Sequence, residues 1–292
     1  MLSVLVSVRN EARYIEAALR SIAPAVRALA VEVVVVDDGS SDGTPDVVER
    51  LALPYVTLVR TVGIGKAAAY SLAYERARGA FFVLFAGDDL IEAQVLAQRI
   101  APLRDLASDT PAVTFCKLKS FSEHRQYDGM ILPKDRRYGL ESGGCIAFNR
   151  AFGDRAFPIP STLANEDSWL MLQVRFSGAR VIHVPLVGLR YRIHEHNSYK
   201  RGVAFAQVNE QMWLRQRALF FFYEKYRETL SAAQQRQLLL EFVLQLLRYL
   251  GASWLVALMP GLPFTTKVKA LFHSNAPLYW VRERFYKFFS GR

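Results

Sequence analysis

Two pairs of adjacent aspartates follow apolar segments of the chain. Asp37-Asp38 comes directly after Val31–Val36, and Asp88-Asp89 follows Ala80–Phe85 after two residues. Adjacent carboxylates repel one another unless a cation lies nearby, and Mg²⁺ or Mn²⁺ would suit such oxygen ligands. A carboxylate can also accept hydrogen bonds from a base or a ribose. The competing interpretation is structural, because Asp-Gly sequences are common in turns that precede helices. For Asp37-Asp38 alone the structural interpretation is the stronger one, whereas for Asp88-Asp89 we favour binding of a cation.

Two further groups of polar residues could take part in chemistry. Glu166-Asp167 begins a predicted helix, whose N terminus accounts for one carboxylate but not for both. His194 and His196 follow Arg190 and Arg192 closely, and together they could supply a metal ligand and positive charge for phosphates. Taken singly, two histidines in a polar loop are more often solvated than bound to a metal.

Alternating strand and helix patterns place these groups in a fold. The apolar segments Leu2–Val8, Val31–Val36 and Ala80–Phe85 predict buried strands of a parallel sheet that is covered on both faces. Helices are predicted between them, one capped by Asn10 and one over Gly65–Arg78 that ends at Gly79. In a doubly wound sheet, ligands bind beyond the carboxyl ends of the strands, where both aspartate pairs fall.

The chain becomes less regular after this alternation and then changes character. A further strand is predicted at Ala112–Leu118, and the polar segment 119–140 has the length of a lid or binding loop. Val181–Val184 and Leu186–Arg192 are predicted as two closing strands. From about residue 201 only long helical patterns occur, among them one apolar helix over Leu238–Met259.

The positive charge is concentrated in this last part. The formal net charge is +10, yet residues 1–200 hold 24 Lys and Arg against 22 Asp and Glu, whereas residues 201–292 hold 13 against 5. Such segregation favours contact with an anionic surface, lipid or nucleic acid. The alternative is a helical tail that packs on the rest of the protein and has an ordinary basic face.

The same region contains 18 consecutive uncharged residues between Arg248 and Lys267. A spanning helix needs about 20 mainly apolar residues, and here glycine and proline interrupt the segment, so we do not predict a single membrane span. Basic residues interleaved with aromatic ones after Lys267 instead favour an interfacial membrane anchor. The two cysteines, Cys116 and Cys145, have no metal-site spacing and fit a reducing, cytoplasmic compartment.

Other enzyme classes on similar sheets require glycines that the chain lacks. A dinucleotide-dependent oxidoreductase needs a glycine fingerprint after the first strand, where this chain has Ser7 to Glu11 without glycine. A metal-dependent sugar-phosphate nucleotidyltransferase usually has a glycine-rich basic loop at that point. A non-enzymatic membrane-binding protein would leave the acidic groups at the sheet edge unexplained. The last two remain the alternatives.

In order along the chain, these segments resemble the inverting nucleotide-sugar transferases of glycosyltransferase family 2, which have the GT-A fold. The matching segments are Val4–Glu11, Val33–Thr44 (VVVVDDGSSDGT), Ala77–Asp89, Asn165–Asp167 and Tyr191–Ser198. The resemblance implies an α/β fold with a Rossmann-like, mostly parallel doubly wound sheet. It implies a GT-A domain over residues 1–200, followed by a basic, apolar helical extension over residues 201–292.

On the donor side, the resemblance implies contacts to a nucleotide-diphosphate sugar. Ser7 and Arg9 would lie against the nucleotide, Asp38 would read the base, and Asp88 would contact the ribose or the metal shell. Many relatives have an arginine and an asparagine after the third strand, where this chain has Lys66 and Ser71. Lys66 would meet a phosphate as a point charge.

For the metal and the acceptor, the resemblance implies a second set of roles. Asp89 would bind a divalent cation, Mg²⁺ or Mn²⁺, and His194 would help to hold the metal or the diphosphate. The frequent form of the motif has an aspartate at position 86, where this chain has alanine. Asp167 would be the catalytic base, and the acceptor side would be lined by Gly143, Gly144 and Glu166.

The implied reaction is transfer of a sugar to an acceptor hydroxyl with inversion of the anomeric centre. Asp167 would remove the proton of that hydroxyl, which is worth about 10²–10⁴-fold in rate. The acceptor would be a cell-surface glycan or a lipid-linked oligosaccharide, and the protein would lie peripherally on the cytoplasmic face of an anionic membrane. No nucleic acid partner is expected.

Overall fold

The computed structural model describes residues 1–122, 127–194 and 203–284. The chain divides into two compact units, Met1–His194 and Glu195–Arg292. The sheet belongs to the first unit, and the described residues of the second unit form helices. The predicted domain boundary at residue 200, as well as His196, lies outside the described residues and stays a prediction.

The first unit is built on one mixed sheet. Its nine strands in the described residues are β1 (Leu2–Val8), β2 (Val31–Asp37), β3 (Val56–Arg60), β4 (Phe81–Ala86), β5 (Leu90–Ile91), β6 (Ala112–Ser122), β7 (Ile131–Leu132), β8 (Ile146–Asn149) and β9 (Arg180–Ile193). Their order is β3-β2-β1-β4-β8-β6-β9-β5, with β7 beside β6. Strands β1 to β4 are mutually parallel, as are β6 and β9. The predicted mostly parallel α/β sheet is therefore confirmed.

Six α-helices connect the strands of the first unit. They are α1 (Ile15–Val26), α2 (Thr44–Leu51), α3 (Lys66–Arg76), α4 (Ala93–Arg104), α5 (Arg150–Ala156) and α6 (Glu166–Phe176), in the described residues. A short 3₁₀ turn, Gly143–Cys145, precedes β8. The helical spacing of Ile15, Leu19 and Ile22 buries one face of α1 against the valines of β1 and β2. This packing holds the carboxyl ends of the parallel strands at one edge.

Several local predictions differ from the structure. Asn10 does not cap α1, because it lies in the left-handed region with φ 58° and its Oδ1 accepts the Ser41 N–H at 2.8 Å. The helix after β3 ends at Arg76 rather than at Gly79. A Cβ at Gly79 would instead meet Ser3, whose Oγ accepts the Gly79 N–H. Tertiary contacts outweigh the local capping signals at both places.

The end of the sheet also differs from the prediction. The two predicted closing strands are one strand, β9, in which the register with β6 shifts around Pro185. Because proline has no N–H for the ladder, such an irregularity lets the strand continue past it. Strand β6 extends to Ser122 rather than ending at Leu118, and residues 123–126 of the predicted loop lie outside the described residues.

The second unit is helical throughout its described part. Its helices are α7 (Phe205–Gln216), α8 (Ala218–Tyr226), α9 (Ala232–Tyr249), α10 (Ser253–Leu258), α11 (Phe264–Leu271) and α12 (Ala276–Arg284). The predicted single helix over Leu238–Met259 is wrong, since Gly251 with φ 77° separates α9 from α10. In the residues that the structure describes, no helix has the length and apolar character needed to cross a membrane.

Candidate active site

The polar residues of the first unit gather where its parallel strands end. Val8 at the end of β1 is paired with Asp37 at the end of β2, and Ser7 is paired with Ala86 at the end of β4. Asp38 and the Asp88-Asp89 pair therefore follow neighbouring strands on the same edge. Ser7 is buried at this edge, whereas Arg9, just past it, is exposed.

Asp38 holds the loop between β3 and α3. Its Oδ1 accepts the backbone N–H groups of Ile64 at 2.5 Å and Gly65 at 3.0 Å, and the side chain is buried. The tight turn after Asp38 depends on glycine, because a Cβ at Gly39 would come within 2.9 Å of the Gly63 nitrogen. The Asp38 carboxylate thus fixes the segment that leads into Lys66.

Asp88 and Asp89 face different partners. Asp88 Oδ2 lies 2.9 Å from His194 Nε2, whereas Asp89 Oδ1 accepts the backbone N–H of Arg192 at 2.8 Å. Asp89 is buried, and that burial together with the Asp88 charge raises the pKa of Asp89 well above its ordinary value. The pair thus splits into one carboxylate beside a histidine and one tied to strand β9.

Arg192 links the strand after Asp88 to the end of β9. Its Nε donates to the backbone carbonyl of Asp88 at 2.7 Å. The guanidinium carbon lies 4.5 Å from the centre of the Tyr14 ring and 4.4 Å from that of Phe121, which are cation–π distances. Arg192 therefore brings a fixed positive charge to this edge, and a role for it or Arg190 toward phosphates stays a prediction.

Lys66 and Glu166 form an ion pair between α3 and α6. Lys66 Nζ lies 3.0 Å from Glu166 Oε1. The other oxygen of Glu166, Oε2, is fully buried and has no hydrogen-bond partner in the described residues. Burial opposes the charge on Lys66, but the carboxylates of Glu166 and Asp167 outweigh it and raise the pKa of Lys66. The structure thus places Lys66 against Glu166, a contact that sequence reasoning did not foresee.

Asp167 at the start of α6 is oriented by the 3₁₀ turn. The Gly143 N–H donates to its Oδ1, and a Cβ at position 143 would overlap that oxygen. A Cβ on Gly144 would lie 2.8 Å from Leu189 Cδ2. A Cβ at position 143 would therefore displace the Asp167 carboxylate, whereas one at position 144 would need only a shift of the Leu189 side chain.

Tyr70 is a residue whose pKa responds to carboxylates of α6 and of the connection between β4 and β5. Tyr70 of α3 is buried and donates to the backbone carbonyl at the end of β4 at 3.0 Å. Its burial raises its pKa, and the charges of Glu166, Asp167 and Asp88 raise it further. All three carboxylates are therefore close enough to the Tyr70 hydroxyl for their charges to act on it, against that of Lys66. Tyr70 had no signal in the sequence beyond its position on a predicted helix.

Glu11 is a second residue that the sequence analysis left without a role, although it belongs to the first matching segment. Burial, Asp88 and Asp42, in that order, raise the pKa of Glu11 to about 8, against the opposing charges of Arg192 and Lys66. Its place three residues after β1 brings one more carboxylate to the crowded edge. The signal was its position after a buried strand, the same signal that singled out the aspartate pairs.

The residues at this edge fit a divalent cation when a ligand supplies further oxygens. The described residues contain no group of three or more His, Cys, Asp or Glu side chains that could hold a metal by themselves. They contain the pair Asp88 and His194, in a region where burial, and after it the charge of Asp88, raises the pKa values of Glu11 and Asp89. Mg²⁺ is commonly bound by one or two carboxylates with phosphate oxygens completing its shell.

The fold is that of an α/β protein with its carboxylates at the carboxyl ends of parallel strands, the edge at which such sheets generally bind ligands. The family model described as "Glycosyl transferase family 2" matches residues 3–157. The match covers more than half of the chain. The chain therefore belongs to this family of sugar-transferring enzymes. The family resemblance drawn from the sequence is confirmed.

Solved structures share the fold. TarS 1-349 from S. aureus in complex with UDP-GlcNAc is 18% identical with a TM-score of 0.61, covering 95% of this chain and 82% of that one. The mannosyltransferase PcManGT from Pyrobaculum calidifontis, in complex with GDP-Man and Mn²⁺, is 23% identical with a TM-score of 0.60 over 97% and 78%. These likenesses establish the predicted GT-A fold. No curated protein matches the chain in sequence.

Proposed function

We propose that this protein transfers a sugar from a nucleotide-diphosphate sugar to an acceptor hydroxyl with inversion of the anomeric centre. The observation that carries the proposal is the start of α6, where Glu166 pairs with Lys66 and Asp167 accepts the Gly143 N–H, in a chain of glycosyl transferase family 2. Family membership favours this reaction over the nucleotidyltransferase and the non-enzymatic membrane protein.

Asp167 is the proposed catalytic base. The Gly143 N–H orients one of its oxygens, and Lys66 lies near enough for its charge to interact with that of Asp167. Asp167 also lies in the first turn of α6, where the helix N terminus attracts a negative charge. Asp167 would accept the proton of the acceptor hydroxyl while that oxygen attacks the sugar from the face opposite the diphosphate. Glu166, Gly143 and Gly144 would form the acceptor side.

A divalent cation, Mg²⁺ or Mn²⁺, is proposed beside Asp88 and His194. Bound there, it would neutralise charge on the departing diphosphate. We assign Asp88 to this role ahead of Asp89, because the Asp89 carboxylate accepts the Arg192 N–H whereas the Asp88 carboxylate lies beside His194. PcManGT, a structure with the same fold, was determined with GDP-Man and Mn²⁺.

Ser7, Arg9 and Asp38 are the proposed nucleotide contacts. Asp38 already accepts N–H groups of the β3–α3 loop, so we propose that it shapes the surface on which the base lies as well as reading the base. The proposed phosphate contact of Lys66 is less well supported than its ion pair with Glu166. Arg192 is the better-supported source of positive charge near Asp88.

The proposed acceptor is a cell-surface glycan or a lipid-linked oligosaccharide, reached at an anionic membrane surface on the cytoplasmic side. The basic excess in residues 201–292 supports this setting. Large exposed apolar side chains of the second unit, such as Trp254, Leu258 and Phe264, support it too.

The experiment that tests the proposal is a donor screen on the full chain. Thermal stabilisation is measured with a panel of nucleotide sugars, each with Mn²⁺ and with EDTA. The stabilising donor is then offered to a mixture of acceptors, and the anomeric configuration of the product is read by NMR. We expect one donor class to stabilise in a metal-dependent way and to give an inverted product. A retained configuration, or no stabilisation by any nucleotide sugar, would contradict the proposal.

A further inference from the structure

The second unit contains a cavity that the proposed transferase site does not use. Its volume is about 720 Å³, within the usual range of small-molecule pockets. Side chains of α7, α9, α11 and α12 contribute to its wall, and Arg248 of α9 is among them. The cavity is defined entirely by residues of the second unit.

Arg248 is buried without a compensating negative charge. Its exposed fraction is 0%, and no carboxylate of the described residues forms an ion pair with it. Its hydrogen bonds go to neutral oxygens, those of Gln245 at 2.9 Å, Asn209 at 2.6 Å and the His273 backbone at 3.4 Å. Its Nη2 is fully buried and has no hydrogen-bond partner in the described residues. Buried charges are ordinarily paired, so this guanidinium has an open requirement for an anion.

The rest of the wall combines positive charge with apolar surface. Lys269 and Arg282 also line the cavity, and of these Arg282 is paired with Glu283 at 2.7 Å. Phe264, 77% exposed at the start of α11, and Phe272 supply apolar contact area. A ligand that complements this wall carries an anionic group next to an apolar chain. A small inorganic anion would leave the aromatic surface unused.

We propose that this cavity binds the phosphate headgroup of an anionic lipid, with Arg248 and Lys269 on the phosphate and Phe264 along the acyl chain. Arginine presents two donors to phosphate oxygens in a planar fork, and Nη2 is the donor left open here. The exposed apolar side chains Trp254 and Leu258 of the same unit would lie at the lipid surface. This site is distinct from general attraction of a basic surface to a membrane, because it requires particular residues.

The test uses monomeric short-chain lipid, which separates a site from surface charge. Dihexanoyl phosphatidic acid is titrated into the full chain by calorimetry, with dihexanoyl phosphatidylcholine and inorganic phosphate as comparison ligands. We expect saturable binding of phosphatidic acid to one site, with the two comparison ligands at least about 10-fold weaker. That figure follows from the worth of a hydrogen bond to a charged group.

Two variants and one matched control locate the site. Arg248→Gln is expected to weaken phosphatidic acid binding about 10-fold or more, and Lys269→Glu about 5-fold or more. Lys269 is exposed, so its variant tests the site even if Arg248→Gln fails to fold. Lys267→Glu makes the same charge change on the same helix but lies outside the cavity wall, and it should bind like wild type.

Three outcomes would overturn the proposal. One is the absence of saturable phosphatidic acid binding to the wild-type chain. Another is equal loss in Lys269→Glu and Lys267→Glu, which would indicate surface electrostatics alone. The third is inorganic phosphate binding as tightly as the lipid, which would indicate an anion site without a lipid.

Discussion

The two units of this protein bury charge in opposite ways. In the first unit, carboxylates concentrate at the carboxyl edge of the sheet, and Lys66, Arg192 and backbone N–H groups offset part of their charge. In the second unit, a guanidinium is buried among neutral oxygens. The first unit is short of positive charge at its site, and the second is short of negative charge in its cavity.

This difference indicates which kind of ligand each unit is built to accept. A buried charge without full compensation costs stability, so it is retained where a ligand of the opposite sign completes it. For the first unit the proposed ligand is a cation that accompanies a diphosphate. For the second unit it is an anion. Substitutions that remove such a buried charge should therefore stabilise the ligand-free protein but weaken the binding of its ligand.

The largest effect is expected at Asp167. Asp167→Asn removes the proton acceptor but keeps the size of the side chain, so turnover should fall by at least about 10²-fold while the KM for the donor stays within about 2-fold. Initial rates at varied donor concentration measure both. Asp109→Asn, an exposed aspartate before β6, is the matched control and should keep the wild-type rate. A wild-type rate in Asp167→Asn would remove Asp167 from the role.

The next effect concerns the proposed cation. Asp88→Asn, His194→Ala and EDTA should each weaken metal-stimulated donor binding by at least about 10-fold, because Asp88 and His194 lie 2.9 Å apart and are the proposed ligands of the cation. Calorimetric titration of the donor with and without Mn²⁺ measures this. The comparison between the units predicts that Arg248→Gln leaves the same titration unchanged. Donor affinity that is indifferent to EDTA would contradict the cation site.

The ion pair of Lys66 and Glu166 allows a measurement of how much stability is lost when a buried charge loses its partner. Lys66→Met leaves a buried carboxylate alone, and we expect a loss of about 1–3 kcal/mol in the free energy of unfolding. This is below the range for fully buried pairs, because Lys66 is 38% exposed. Chemical denaturation measures it. Adding Glu166→Gln should recover part of the loss, and absence of any recovery would show that the two side chains are not coupled.

An exposed ion pair in the same unit provides the control for the Lys66 and Glu166 substitutions. Arg20 and Glu16 lie 2.9 Å apart on α1, with side chains 60% and 50% exposed. Arg20→Met should change the free energy of unfolding by less than about 0.5 kcal/mol. A loss as large as that of Lys66→Met would indicate that the substitution itself, and not the broken pair, is responsible.

Arg248→Met should behave unlike Lys66→Met. It removes an uncompensated buried charge, a gain that offsets the hydrogen bonds lost by Gln245 and Asn209, so the unfolding free energy should stay within about 1 kcal/mol of wild type. Denaturation of the full chain at matched conditions tests this. A loss larger than that of Lys66→Met would mean that Arg248 is compensated inside the protein, which would break the comparison between the two units.

The smallest effect is a pH dependence at Glu11. Its pKa is raised from 4.5 to about 8, so the folded protein holds a proton that the unfolded chain releases. This stabilisation is complete below about pH 4.5 and is lost as the pH rises through about 8. Glu11→Gln should therefore gain in Tm relative to wild type between about pH 5 and about pH 9, in EDTA. Glu75→Gln, on the exposed side of α3, should show no such trend.

Much of the first unit could be predicted from local pattern. The valine runs of β1 and β2 and the spacing of Ile15, Leu19 and Ile22 predict strands and a helix that the structure contains. The aspartates follow those strands, so their position at one edge also followed from sequence. The cap at Asn10 was wrong because a contact with the distant Ser41 decides its conformation, and the single helix across Gly251 was wrong because that glycine takes a positive φ.

The sequence by itself determined the order of strands and helices, the place of the acidic residues after the strands and the segregation of positive charge. These follow from periodicity and composition, which are local quantities. Only the tertiary structure decided the partners. It pairs Lys66 with Glu166, turns Asp88 and not Asp89 toward His194, and buries Arg248 away from any carboxylate of the described residues. The contact partners and the burial of a side chain depend on segments that are distant in sequence. Asp88 and Asp89 are chemically the same, so only the direction that the folded backbone gives each side chain distinguishes them.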